Sequence, residues 1–128
     1  MSLGKVLAIK IVDNGDFVEV LGSGSVSPDE VYIAASEYFS GSPKTNVLWN
    51  FLNADLSGFS ADRFKEVASD SARFAPKRGD GARSAIVVKS KMEYLLMQAY
   101  VARASMESPV IFKVFTERES SIQWLQAE

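Results

Sequence analysis

The chain contains no histidine and no cysteine among its 128 residues. That removes Ser-His-Asp and Cys-His nucleophile systems, imidazole acid–base chemistry, and zinc sites built on nitrogen or sulfur ligands. Carboxylates, lysines and tyrosines still permit catalysis, and carboxylates alone can hold magnesium. Paired carboxylates for acid–base work are nonetheless not evident. Asp29/Glu30, Asp62/Glu66 and Glu117/Glu119 fall at or near expected helix starts, where acids stabilise the helix dipole. The residues therefore point to no catalytic group, no metal and no cofactor, and an enzyme ranks third among the functional readings.

Other classes are thinly supported too. The net charge is −2, with acids and bases intermixed. There is no basic excess for nucleic-acid phosphates and no dense basic stripe for a membrane surface. No apolar run approaches the ~20 residues that span a bilayer. Lys5 and Lys10 bracket the first apolar stretch, and no small-residue cleavage site follows it, so a cytoplasmic location is expected. What remains is 47% hydrophobic and 23% charged, the balance of an ordinary globular domain, expected to span residues 1–128.

Periodicity divides that domain into alternating elements. Val6 to Val12 reads as a strand, and Phe17 to Leu21 as its antiparallel partner. The Asn14-Gly15 pair between them is a strong hairpin signal, since both residues of such a turn accept positive φ. Gly22 to Ser25 reads as a loop. Ser27, Pro28 and Glu30 then form a capping box with proline at the first helical position. That helix carries Val31, Ala34, Ala35, Tyr38 and Phe39 on one face, and Gly41 and Pro43 end it. Val47 to Phe51 is a nearly continuous apolar run, as suits a strand buried on both faces. A polar loop from Asn53 leads to Ser60, the expected cap of a second helix with Phe64, Val67, Ala68, Ser71 and Ala75 inward. Pro76 stops it, and Lys77 to Arg83 reads as an exposed basic loop.

Ala85 to Val88 is another buried strand. Ser90 and Glu93 form a second capping box, for a helix expected to bury Met92, Leu95, Leu96, Ala99 and Met106. Val110 to Phe115 is the last strand. Thr116 and Glu119 make a third box, for a helix using Ile122 and Leu125, with Trp124 beside them. The order is β-β-α-β-α-β-α-β-α. It predicts an α/β fold, a mostly parallel sheet with an N-terminal antiparallel hairpin and four helices.

In such sheets ligands gather beyond the carboxyl ends of the parallel strands. Gly22-Ser23-Gly24-Ser25-Val26-Ser27 sits where a phosphate loop would, but it lacks the third glycine and the Gly-Lys-Ser/Thr ending. Asp29 and Glu30 would also repel a phosphate. The densest polar cluster is Asn50, Asn53, Asp55, Ser57, Gly58 and Ser60. Cap and turn preferences explain these residues singly; together they form a candidate phosphorylation or ligand loop. Arg78-Gly79-Asp80 matches an integrin-recognition tripeptide, which in this context reads as chance. Met92, Tyr94, Leu96, Met97 and Tyr100 lie on one helix that is apolar around much of its girth. They read as core, as the wall of an apolar ligand pocket, or as a face for a protein partner or second copy.

This pattern of elements, with Ser84-Ala85-Ile86-Val87-Val88 and the stretch from Val114-Phe115 through Trp124-Leu125, resembles the STAS-like family. More closely, it is similar to bacterial domains related to stage II sporulation protein AA, the anti-sigma-factor antagonist. The resemblance implies a β/α domain without catalytic groups. Such a domain works through a protein partner and a phosphorylatable serine, or binds a lipid-like ligand. The phosphorylated serine of the antagonists follows an Asp-Ser-x-Gly motif, which maps to Asp55-Leu56-Ser57-Gly58-Phe59-Ser60. Here Asp and Ser are not adjacent, and Asn50 stands where an Asp is expected. Ser57 and Ser60 are the candidates. The first functional expectation is a non-catalytic regulatory or interaction domain, self-associating as a homodimer. The second is a carrier of a small apolar ligand between the third expected helix and the sheet.

Overall fold

Alternation along the strands decides which side of the sheet each helix covers. In Val47-Leu48-Trp49-Asn50-Phe51-Leu52, the odd positions pack with one set of helices and Leu48 and Leu52 with another. Ala85 and Val87 likewise separate from Ile86 and Val88. Both faces are buried, which is why these runs lack a polar stripe.

The structure, a computed structural model, describes residues 9–41, 45–60 and 64–127. Its strands are β1 (Ile9–Asp13), β2 (Val18–Ser25), β3 (Val47–Asp55), β4 (Arg83–Val87) and β5 (Ile111–Phe115). They form one sheet in the order β1-β2-β3-β4-β5; β1 runs antiparallel to β2 and the remaining pairs are parallel. The helices are α1 (Pro28–Phe39), α2 (Phe64–Ala72), α3 (Ala75–Arg78), α4 (Lys91–Glu107) and α5 (Arg118–Gln126). Side chains of α1, α2 and α4 pack on one face of the sheet. On the other face, Leu125, Ile122 and Trp124 of α5 cover Phe17, Leu48, Ala85 and Val87.

The α/β architecture matches the expectation, with one helix more. Pro76 does not simply end a helix: α2 stops at Ala72, and α3 forms a separate turn with Pro76 in its first turn. Proline is tolerated there because its missing N–H has no helical acceptor to lose. The first expected strand is described only from Ile9, and Val6 to Ala8 lie outside the described residues. β2 and β3 run further than expected. Gly22 to Ser25, read as a loop, continues β2 and pairs Ser23, Gly24 and Ser25 with Asn53, Ala54 and Asp55. In the hairpin, only Gly15 takes positive φ, at 88°. The turn spans four residues, with the Asn14 N–H donating to the Phe17 carbonyl at 2.9 Å.

The caps differ in how completely they form. Ser27 and Glu30 make the full reciprocal box. Ser90 accepts from the Glu93 N–H, but the Glu93 carboxylate turns to Lys89 instead. At α5 the capping position is Glu117, without a side-chain cap bond, so the Thr116 box does not form. The expected Ser60 cap leads into Ala61 to Arg63, outside the described residues, as is Pro43.

Gly22 lies at a register shift between Leu21 and Ser23. A Cβ there would stand 2.9 Å from Phe51 Cδ1 and 3.3 Å from Val26 Cγ2. Both neighbours are buried, so they have little room to give. Gly22→Ala is expected to cost about 1–3 kcal/mol through overpacking, read as a lower urea midpoint.

Candidate functional site

Between the sheet and α1, α2 and α4 the core does not close. Val31, Tyr32, Ala35 and Phe39 of α1 form one wall of a cavity, and Met97 and Tyr100 of α4 form another. Trp49, Phe51, Ile86 and Phe112 supply the floor from the sheet, and Phe59, Val67, Phe74 and Val110 complete the rim. The room for the centres of water-sized groups amounts to about 70 Å³. That corresponds to on the order of five to seven such groups. Aromatic rings line much of this space: Phe39 and Phe74 stack at 5.1 Å, and Tyr100 meets Phe112 edge-on at 6.4 Å. A lining this apolar with few polar groups is the usual make-up of a small-molecule site.

One corner is polar. Arg78, at the end of α3, reaches into the wall with only 6% of its surface exposed. Its Nη1 donates to Ser84 Oγ at 2.8 Å, Nε and Nη2 donate to the Thr45 carbonyl, and Nη2 also donates to the Arg83 carbonyl at 2.7 Å. The guanidinium lies 5.7 Å from the centre of the Phe39 ring. Burial pushes its pKa down to about 10, so it stays charged at neutral pH. This corrects the reading of Lys77 to Arg83 as a solvated loop. Arg83 is itself half-buried, donating to the Trp124 and Ala127 carbonyls.

The expected pocket residues divide. Met97 and Tyr100 line the cavity, whereas Tyr94 and Leu96 pack beside the core without reaching it. Met92 is 81% exposed and Met106 73%, with Leu95 and Ala99 exposed as well, so the face expected to be buried points outward. The apolar residues on both sides of α4 made its inward face ambiguous; Met97, Tyr100 and Ala104, one turn apart, are the ones inside.

The expected polar loop divides too. Asn50 is buried and faces the α5 side, where its amide donates to Glu19 Oε2 at 2.8 Å. Glu19, 4% exposed, also accepts from Arg118 at 2.9 and 2.7 Å and from Asn14 at 3.1 Å. The hydrogen bonds from Arg118 hold its carboxyl below the usual carboxylate range against the opposing effect of burial, aided by Asn50. Asn50 is therefore a structural tie. Asn53, Asp55, Ser57, Gly58 and Ser60 are exposed at and beyond the carboxyl end of β3. The Ser57 N–H donates to Asp55 Oδ1 at 2.9 Å, and bonding from Ser57 lowers the Asp55 pKa, with a smaller contribution from Lys89. Lys89 donates to the Ala54 carbonyl and to Glu93 at 3.0 Å. These groups neighbour one another at the carboxyl edge, and none of them lines the cavity.

The Glu19 and Arg78 arrangements are what the sequence reading missed. Glu19 alternates with Phe17 and Leu21 along a strand, which marks a carboxylate on an inward face. Arg78 follows Phe74 and Ala75 closely enough to be carried into the core with them. Among the described residues, no three carboxylates are placed to hold a metal ion, and no helix is long and apolar enough to cross a membrane.

No protein-family model matches the chain, and a comparison with curated proteins gives no match. Among solved structures, the chain superimposes on a protein from Shewanella loihica PV-4, described as an uncharacterized protein of the DUF3478 family with a SpoIIAA-like fold. The TM-score is 0.52 at 19% identity, over 92% of each chain. The fold is SpoIIAA-like. This agrees with the STAS-like resemblance in the order of strands and helices. At that identity the SpoIIAA-like match fixes the architecture and leaves the site to be argued from this chain's own side chains.

Proposed function

We propose that this protein is a non-catalytic binding domain that holds a small apolar ligand between α1, α2, α4 and the sheet. The observation that carries the reading is the aromatic-lined cavity left between these elements, since folded interiors otherwise pack with few voids larger than a water molecule. The sequence puts a protein-interaction role first; the cavity is the support for placing ligand binding ahead of it here. Calorimetric titration with straight-chain alcohols from butan-1-ol to decan-1-ol tests it. Each added methylene is expected to tighten binding about fourfold, from ~0.8 kcal/mol per buried CH₂, until the chain reaches about six carbons, where the gain flattens. Absence of one-to-one binding by every alcohol would sink the reading.

The second reading is a STAS-type regulatory domain acting through a protein partner or a second copy of itself. The outward stripe of Met92, Leu95, Ala99 and Met106 on α4 favours it, because exposed apolar patches mark interaction surfaces. Ser57 and Ser60, both exposed, are the candidate sites for phosphate in this reading. Mass spectrometry of the protein from its own cells separates the two. Phosphate on either serine supports regulation, and a co-purifying apolar molecule supports carriage.

A further inference from the structure

Arg78 is a buried cation that, among the described residues, has no carboxylate partner. Its partners there are two carbonyls and one hydroxyl. A charge held this way in an apolar wall is costly unless something anionic meets it. A guanidinium carries five N–H donors. Nε uses one, Nη2 uses two and Nη1 uses one, which leaves a single Nη1 N–H without an acceptor among the described residues.

Ser84 presents a matching vacancy. Its hydroxyl oxygen accepts from Arg78 Nη1 at 2.8 Å and from Trp49 Nε1 at 3.3 Å. Both lone pairs are thus engaged, and among the described residues the hydroxyl proton has no acceptor, although Ser84 is 0% exposed. Arg78 and Ser84 both line the cavity. Two spare donors therefore sit on atoms 2.8 Å apart, one of them on a cation, beside an otherwise apolar chamber.

We propose that the ligand of this cavity is an amphipathic monocarboxylate, a short- to medium-chain fatty acid, whose carboxylate takes the spare N–H of Arg78 and the hydroxyl proton of Ser84 while its chain fills the aromatic chamber. The assignment rests on the apolar-ligand reading above and goes beyond it by naming the head group. Charge-assisted hydrogen bonds to a fixed guanidinium are the strong ones, and the buried position keeps water from competing.

The test compares hexanoate with hexan-1-ol, a probe of nearly the same shape without the charge, by calorimetry at pH 7 on the unaltered protein. Hexanoate is expected to bind at least tenfold tighter. Ser84→Ala, which removes the hydroxyl donor at little cost in volume, is expected to shrink that ratio several-fold, and Arg78→Gln to abolish it. Hexanoate binding no tighter than hexan-1-ol overturns the head-group assignment while leaving the apolar chamber in place. A hexanoate preference that survives Ser84→Ala undiminished also overturns it. Binding of neither probe overturns both this inference and the reading it rests on.

Discussion

Glu19→Ala is expected to lower the free energy of unfolding by about 3 kcal/mol, read from urea melts monitored by far-UV circular dichroism. The Glu19 carboxylate joins the hairpin turn through Asn14, the centre of β3 through Asn50, and the start of α5 through Arg118. Truncation leaves the buried Asn50 amide without its acceptor, which costs on the order of 1–3 kcal/mol, and opens a void where the side chain stood. Arg118 adds less than a fully buried partner would, because 44% of its side chain is exposed and its guanidinium can turn to water. The same group sets a pH dependence. Its folded-state pKa is held below the ordinary 4.5, so the folded protein gives up this proton more readily than the unfolded chain. The stabilisation is present above about pH 4.5 and is lost as the pH falls through the folded value. Glu19→Gln is expected to flatten that acid limb. An unchanged limb, or a loss below 1 kcal/mol in Glu19→Ala, would show that the cluster is not a tie.

Ala35→Leu is expected to weaken hexan-1-ol binding at least tenfold while leaving the melting temperature unchanged or a few degrees higher. Ala35 is buried on α1 and forms part of the cavity wall. Leucine adds three carbon atoms to a space that takes on the order of five to seven water-sized groups, so protein and ligand compete for the same volume. Filling an existing void commonly stabilises by 0.5–2 kcal/mol, the opposite sign to overpacking a closed core. The combination of lost binding and kept stability is therefore diagnostic. Full binding in Ala35→Leu would mean that the alcohol sits elsewhere, and a large loss of stability would mean that the space is not open.

The architecture was legible because local signals agreed with one another. The Ser27-Pro28-Glu30 start, the two-sided apolar runs at Val47 and Ala85, and the Asn14-Gly15 turn each specify one element, and their order specifies the sheet. Two kinds of information were not local. Whether Gly22 to Ser25 continues a strand depends on Asn53 to Asp55 lying alongside, a pairing made across about thirty residues. Which side of α4 faces inward depends on what covers it, since Met92, Leu95 and Met106 are as apolar as Met97 and Tyr100. The site suffered most from this limit. A cavity is a property of several elements that fail to touch, and Arg78 becomes a buried cation only because α3 carries it against Phe39 of α1 and Ser84 of β4. Asn50 shows the converse: a polar residue at the end of an apolar run reads as a loop ligand, yet its partner Glu19 is thirty-one positions away.

The cavity and the outward stripe lie on opposite sides of the same helix, and methionine marks both. A carbon–proton correlation spectrum of protein labelled at the methionine methyls, recorded during a hexan-1-ol titration, reads both sides at once. If the chamber binds apolar ligands, the Met97 signal moves saturably while those of Met92 and Met106 stay in place. Movement of Met92 and Met106 with Met97 unmoved, or no movement at all, would contradict it.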